Sequence, residues 1–223
     1  MSFVAGVLSA ALVVAPQAAP IFQPGAPGAP SRLITADQAL ELARTSYTAD
    51  DVAFMQHMIV HHAQAVEMVG LLEAHGSNAR VKLLGRRIAL SQEAEMALMR
   101  EWLTERNQSL EMQGDHSAHG MDHGGMDHSA HAGHAMPPSE TPLMTGMLSP
   151  AQMARLAAAR GTDFDRLFLS GMIQHHQGAL DMVADLMDHP DAAQDTLLSD
   201  FTTSVVADQS TEILRMQSLL SDL

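Results

Sequence analysis

The 223-residue sequence contains no cysteine, and aromatic residues make up only 4% of it. The missing cysteine excludes both disulfides and thiolate metal ligands. The scarcity of aromatic side chains, beside abundant Ala, Leu and Met, favours packed helices over sheets. Basic residues are also few, with 12 Lys and Arg against 26 Asp and Glu, for a formal charge of −14. We therefore expect cations as partners, and neither nucleic acid nor an anionic membrane surface.

The first residues are typical of an export signal. Residues 3–14 form an apolar run of signal-peptide length, and the small residues that follow could be cleaved. No Lys or Arg precedes Arg32, so the usual basic start is missing. We predict a signal-peptide-like segment over 1–19, cleaved or kept as the only membrane-associated part, and an exported protein, periplasmic or extracellular. The Pro/Gly-rich residues 20–33 indicate a flexible spacer.

The rest of the chain contains the same segment twice. A shift of 114 positions (175 minus 61) places FMQHMIVHHAQAVEMVGLLEAH on FLSGMIQHHQGALDMVADLMDH without a gap. Farther along, a shift of 117 (209 minus 92) aligns Gln92 and Glu95 with Gln209 and Glu212. This internal repetition predicts two related halves.

Each half is predicted to be a short helix followed by two long helices. Gly76 and Pro190 mark where the first long helix of each half ends. A helical hairpin cannot bury its apolar stripe alone, so the halves, at 34–110 and 148–223, are predicted to form one all-α four-helix bundle around a linker at 111–147. The capping boxes that open the helices are predicted at Thr35 with Gln38, Thr48 with Asp51, Ser149 with Gln152 and Thr162 with Asp165.

The repeated motif Met-x-x-His-His lies on the buried stripe of a long helix. At 100° per residue, His61 and His62 fall within about 60° of Met58. An unpaired buried imidazole costs about 1–3 kcal/mol, so these rings need partners. One interpretation is structural, because methionine fills cores well and a carbonyl can satisfy a histidine. The other is a soft-metal site near the bundle centre, where the two copies of the stripe meet.

Spacing limits which side chains can share a metal ion. His57 and His61 stand four residues apart on one helix face, as do Met58 and His62. Glycine replaces His57 in the second copy, at position 171, so we expect the second site to be weaker. Thioether and imidazole donors favour Cu(I), with Ag(I) as its mimic. The candidate ligands in the helices are His57, Met58, His61, His62, Met68, Met172, His175, His176 and Met182.

The linker has the densest set of candidate ligands. Its six histidines recur every three to five residues, with Met, Asp, Gly, Ser and Ala between them. This composition cannot bury a core, so it predicts a disordered, metal-binding segment. Its imidazoles would also take Cu(II), Zn(II) or Ni(II). The alternative is a solvated linker without metal, whose histidine-rich composition is accidental. The candidates are His116, His119, Met121, His123, Met126, His128, His131, His134 and Met136.

The paired HMIVHHAQAVEM and GMIQHHQGALDM, with QEAEMALM following the first, resemble the domain of unknown function 305 family. The resemblance covers about residues 34–108 and 148–222. It implies a ferritin-like helical bundle and, as in the CopM-type members, copper binding and copper resistance in the bacterial periplasm. The residues that it implicates are Met58, His61, His62, Met68, Met172, His175, His176 and Met182.

We therefore expect a non-enzymatic protein for copper sequestration or delivery, with metal ions and other copper-handling proteins as partners. The alternatives are a structural or interaction bundle without metal, and Zn or Ni buffering by the linker. A di-iron oxidase would need Glu-x-x-His pairs, which the chain lacks, and inward carboxylates. Glu67 and Asp181, the carboxylates nearest the motif in sequence, lie off the stripe. Since an unperturbed imidazole titrates near 6.5, copper retention is expected to fall below about pH 6.

Overall fold

Two compact units make up the computed structural model, Met1–Thr45 and Ser46–Leu223. The first contains a short antiparallel pair of strands, β1 (Ile21–Gln23) and β2 (Arg32–Ile34), and the helix α1 (Ala36–Ala43). Part of the predicted flexible spacer therefore forms β-structure. The residues that the structure describes are 20–24, 30–43, 46–112 and 138–223.

The described residues of the second unit form four long helices and one short helix. The long helices α2 and α3 form one hairpin, α5 and α6 form the other, and the two hairpins meet through α2 and α5. The predicted all-α bundle is confirmed, but the short helix of the first repeat lies in the other unit. None of the described helices has the length and apolarity needed to cross a bilayer. The five helices are α2 (Ala49–His75), α3 (Ala79–Glu105), α4 (Pro150–Ala158), α5 (Gly161–Met187) and α6 (Thr196–Ser221).

Three of the four predicted capping boxes are present. The predicted box of Thr162 with Asp165 is wrong, because α5 begins at Gly161 without a side-chain cap. Asp165 is used elsewhere in the fold, as a link between the two hairpins. The boxes that are present join Thr35 with Gln38, Thr48 with Asp51, and Ser149 with Gln152.

Two buried aspartates tie each hairpin to the loop of the other. The Asp165 carboxylate accepts hydrogen bonds from the backbone N–H of Ser77 (3.1 Å) and of Asn78 (2.9 Å), both between α2 and α3. Asp51, at the equivalent place in α2, accepts from the backbone N–H of Ala193 (2.8 Å), between α5 and α6. Because both carboxylates are fully buried, these bonds hold the hairpins in one relative position.

The apolar core consists of two clusters, one toward each end of the bundle. The first includes Phe54 near the start of α2 and Leu186 near the end of α5. The second includes Leu72 near the end of α2 and Phe168 near the start of α5, so the two central helices run antiparallel. In all four long helices, polar residues interrupt the apolar stripe where one cluster gives way to the other.

The last part of the predicted disordered linker is ordered. Residues 143–149, which we call the strap, cross the middle of α2 and α5. Gln64 holds the strap, since its side chain donates to the Leu148 carbonyl (2.9 Å) and accepts from the Leu148 N–H (2.7 Å). Gly146, with φ of 77°, lies so close to α5 that a Cβ on Gly178 would stand 2.4 Å from its Cα. Composition cannot show such a contact, so the prediction of disorder was wrong for residues 143–147.

Candidate metal centre

A layer of polar side chains separates the two apolar clusters. Each of the four long helices contributes two of its members, and all except the glutamates are fully or almost fully buried. The pairs from α2 and α5 come from the repeated His-His motif, and those from α3 and α6 from the repeated Gln-x-x-Glu. This polar layer consists of His61, His62, Gln92, Glu95, His175, His176, Gln209 and Glu212.

The first histidines of the two motifs meet at the centre of the layer. The rings of His61 and His175 lie 3.8 Å apart between centroids, with 40° between their planes. His175 Nε2 is 2.8 Å from the backbone carbonyl oxygen of His61, across the α2–α5 contact. His61 Nε2 is 3.2 Å from the carbonyl oxygen of Thr145, which belongs to the strap.

The second histidines each face a glutamate from the partner helix of their own hairpin. His62 Nε2 lies 2.6 Å from Glu95 Oε2, and His176 Nε2 lies 2.6 Å from Glu212 Oε2. The imidazoles are fully buried, whereas the glutamate side chains are 16% and 13% exposed. These two equal pairs show that the internal repeat extends from sequence to side-chain geometry.

These partners determine the tautomer of all four rings. Every Nε2 faces a carbonyl or carboxylate oxygen, so Nε2 carries the hydrogen and donates it. The lone pair of each neutral ring therefore resides on Nδ1. Within the described part of the chain, all four Nδ1 atoms are buried without a hydrogen-bond partner, as are the side-chain oxygens of Gln92 and Gln209 and the side-chain nitrogen of Gln209. The Nδ1 atoms of the two central rings, His61 and His175, thus have no donor to pair with.

Burial keeps the central rings neutral. Desolvation, followed by repulsion from the neighbouring His62, lowers the pKa of His61 from 6.5 to about 3, although the Thr145 carbonyl acts in the opposite direction. The pKa of His175 is also lowered, first by desolvation and then by His61 and His176. At neutral pH both rings can therefore offer their lone pairs to a metal ion. The sequence-based expectation of copper release below about pH 6 used an unperturbed pKa, which does not apply to these two rings.

The predicted sulfur ligands lie on either side of the polar layer. Met58 belongs to one apolar cluster and Met172 to the other, and both are fully buried. Met68 is also fully buried, whereas Met182 is partly buried. They therefore border the layer or lie beyond it.

His57 is placed apart from the polar layer. It is half-buried and lines a surface cleft with Met182, whereas His61 is in the layer. The repeated parts of the layer do not involve His57, so glycine at position 171 leaves the second histidine pair intact.

The linker candidates, from His116 to Met136, lie outside the described residues. Among the residues that are described, no group of three or more His, Asp or Glu is close enough to hold a metal ion.

Sequence reasoning missed Glu95 and Glu212 as members of the site. It considered only Glu67 and Asp181, which are exposed in the structure. The signal was present in the alignment of Gln-x-x-Glu between the halves, but only packing shows that these helices place their glutamates on the histidines. Glu95 also lines a groove of about 730 Å³ with residues of α6, so it connects His62 to the solvent.

The fold and the site define a class of all-helical proteins: bundles of two repeated helical hairpins with a layer of buried histidines at the centre. The chain belongs to the family described as domain of unknown function (DUF305), whose sequence profile matches residues 51–220. A search of curated proteins found no match.

Solved structures share this fold. A DUF305 fragment from Deinococcus radiodurans is 28% identical and covers 79% of this chain and 99% of its own, with a TM-score of 0.60. A DUF305 protein from Streptomyces coelicolor, provisionally assigned as secreted, is 23% identical over 78% of this chain and 95% of its own, with a TM-score of 0.59. CopM in its Cu(I)-bound form is 21% identical, and the match covers 78% of this chain and 97% of CopM, with a TM-score of 0.53.

Proposed function

We propose that the protein binds Cu(I) in the polar layer and acts as an extracytoplasmic copper-binding protein, for sequestration or delivery, rather than as an enzyme. The observation that carries this proposal is the set of four buried Nδ1 atoms without partners. Each is an acceptor when its ring is neutral, and an unsatisfied buried polar group costs about 1–3 kcal/mol. A bound cation offsets this cost, because it takes up the lone pairs that no donor in the layer satisfies.

The donor chemistry favours a soft monovalent ion. Imidazole nitrogens are available, thioethers border the layer, and the chain has no thiolate that would compete. Cu(I) has a filled d shell and accepts sites with few ligands, which suits pairs of rings better than a closed cage. Ag(I) has the same preferences and serves as its mimic.

The two glutamates would orient the histidine ligands without binding the metal ion themselves. A histidine that binds a metal through one nitrogen commonly donates its other N–H to a carboxylate, which orients the ring and makes it a better ligand. Glu95 and Glu212 take this position on His62 and His176. Glu95 also lines the groove between α3 and α6, so the carboxylate that holds His62 is accessible from solvent.

Related structures support the proposal at the level of the fold. CopM has been determined with Cu(I), with Cu(II) and with Ag. The provisional assignment of the Streptomyces protein as secreted agrees with the signal-like segment at 1–19 and with an exported location. A metal-binding protein in that setting would exchange copper with other copper-handling proteins.

A metal titration read by native mass spectrometry tests the proposal. Purified protein is titrated under reducing conditions with Cu(I) and, separately, with Zn(II). A variant lacking residues 112–136 is measured in parallel, so that ions bound by the linker histidines are counted separately. We expect the shortened variant to retain tightly bound Cu(I) and to bind Zn(II) weakly. If it binds no Cu(I), the polar layer is a structural feature and the proposed function is wrong.

A further inference from the structure

A second set of metal donors lies at one end of the α2–α5 contact. There a cleft of about 200 Å³ is open to solvent at the first turns of α2 and the last turns of α5. Five of its eight lining residues have side chains that can bind a metal ion, two of them imidazoles, two carboxylates and one a thioether. These five, which define the terminal cleft, are Asp50, His57, Met182, Asp185 and His189.

The electrostatics of the terminal cleft favour a cation. Its lining includes two carboxylates and neither Lys nor Arg. The carboxyl end of α5 and the amino end of α2 both lie at the cleft, so their helix dipoles oppose each other, and the two carboxylates supply the attraction for a cation. Side chains from the two helix ends already meet here, since His189 Nδ1 is 3.5 Å from Asp50 Oδ2.

The equivalent place at the other end of the bundle keeps only two of these donors, a methionine and a histidine. The shift of 114 puts Gly171 in place of His57 and Phe164 in place of Asp50. The strap fills the space there, because a Cβ on Gly171 would stand 3.0 Å from a methyl of Leu148. His75, the counterpart of His189, lies against the Phe164 ring at 5.8 Å. The donors of the terminal cleft are therefore not a requirement of the repeated fold.

We propose that the terminal cleft binds one divalent transition-metal ion through His57 and His189, with Asp50 and Asp185 as oxygen donors. Mixed imidazole and carboxylate donors suit Cu(II), Ni(II) or Zn(II), in contrast to the soft donors of the polar layer. The donors are not gathered into a ready-made group in the described residues. They are exposed or half-buried, so their side chains are free to change rotamer, and the proposal requires that they do so when the ion binds. This proposal does not depend on Cu(I) binding in the polar layer.

Paramagnetic broadening by Cu(II) tests the proposal in the full-length protein and in the variant lacking residues 112–136, which removes the competing linker histidines. Amide signals are followed by NMR as Cu(II) is added below one equivalent. We expect broadening of residues 50–57 and 182–189, and little at 68–75, which lie roughly 15–35 Å away along α2. The His57→Gln, His189→Gln double variant should lose the broadening at the terminal cleft, and the Asp50→Asn, Asp185→Asn variant should reduce it.

His75→Gln is the matched control, because it removes the equivalent histidine from the opposite end. It should leave the broadening unchanged, and circular dichroism should show the helical content of all variants to be equal. Broadening that is absent at 50–57 in the variant lacking residues 112–136, or that persists in the His57 and His189 double variant, would overturn the proposal. Cu(I) binding by the double variant is measured separately, so that the two metal sites are tested independently.

Discussion

The two repeats hold their second histidines alike and their first histidines differently. His62 and His176 each lie 2.6 Å from a glutamate of the same hairpin. His175, in contrast, donates to the His61 carbonyl of α2, whereas His61 donates to the strap. The equal pairs lie within hairpins, which the repeat duplicates. The unequal pair depends on the strap, which lies between the two halves.

This comparison separates two parts of the site. The His–Glu pairs have the same geometry in both copies, so they should contribute equally to metal binding. The central pair lies beneath a single strap, and its stability should depend on how that strap is held. Variants of each copy therefore show whether the two contribute equally to metal binding, and variants at the strap show whether it stabilises the central pair.

Removing either His-His motif should have the largest effect. The His61→Gln, His62→Gln variant and the His175→Gln, His176→Gln variant should each lose more than about 100-fold in Cu(I) affinity, since losing a ligand costs more than losing its outer-shell partner. Competition with a Cu(I) chelator, in chains lacking residues 112–136, measures both. A loss confined to one variant would contradict the equality of the two copies.

The metal-free protein should lose stability in acid because of its central rings. The pKa of His61 is lowered to about 3 in the folded chain, against 6.5 when unperturbed. The unfolded chain therefore binds the proton at higher pH, so this stability is fully present above about pH 6.5 and is lost as pH falls toward 3. The loss should be on the order of a few kcal/mol.

Denaturant unfolding between pH 7 and pH 4 measures this effect. The His61→Gln variant should show a shallower pH dependence than the natural chain, because it has no proton to take up at this position. His75→Gln, which changes a histidine outside the polar layer, should keep the full dependence. Equal pH dependence in all three proteins would contradict the lowered pKa of His61.

Replacing the glutamates should weaken copper binding without abolishing it. Glu95→Gln and Glu212→Gln should each reduce Cu(I) affinity by about 10–100-fold, which is typical when an outer-shell carboxylate is lost. Glu67→Gln, an exposed change on α2, is the control and should have no effect. Chelator competition distinguishes the three variants. A Glu95 variant with the affinity of the natural chain would show that this carboxylate only fills space.

A methyl group at position 178 should displace the strap. The Cβ of a Gly178→Ala variant would stand 2.4 Å from the Gly146 backbone, so we expect a loss of about 1–3 kcal/mol in the free energy of unfolding. Gly70→Ala is the matched control, because a Cβ there meets nothing within 4 Å and should stabilise α2 by about 0.5–1 kcal/mol. Denaturant titration measures both. If the two variants are equally stable, the strap adapts and does not constrain the layer.

Much of the fold could be predicted because its signals are local and occur twice. The capping boxes at Thr48 and Ser149 are satisfied within three residues, and the long helices follow the apolar period. Asp165 shows where such reasoning stops. Its position matches a capping box, yet its carboxylate bonds to a loop 87 and 88 residues away in the chain. Local spacing cannot distinguish these two uses of one aspartate.

By itself, the sequence determined the duplicated hairpin, the buried stripe and the presence of His61, His62, His175 and His176 on it. All of these follow from helical period and repetition, which are properties of neighbouring residues. Only the tertiary structure decided which side chains pack on the histidines. Glu95 and Glu212 orient the rings of His62 and His176, the strap covers His61, and His57 lies in a separate cleft. Each depends on how one helix is placed against another, and that placement is selected by burial of the whole core rather than by any single segment.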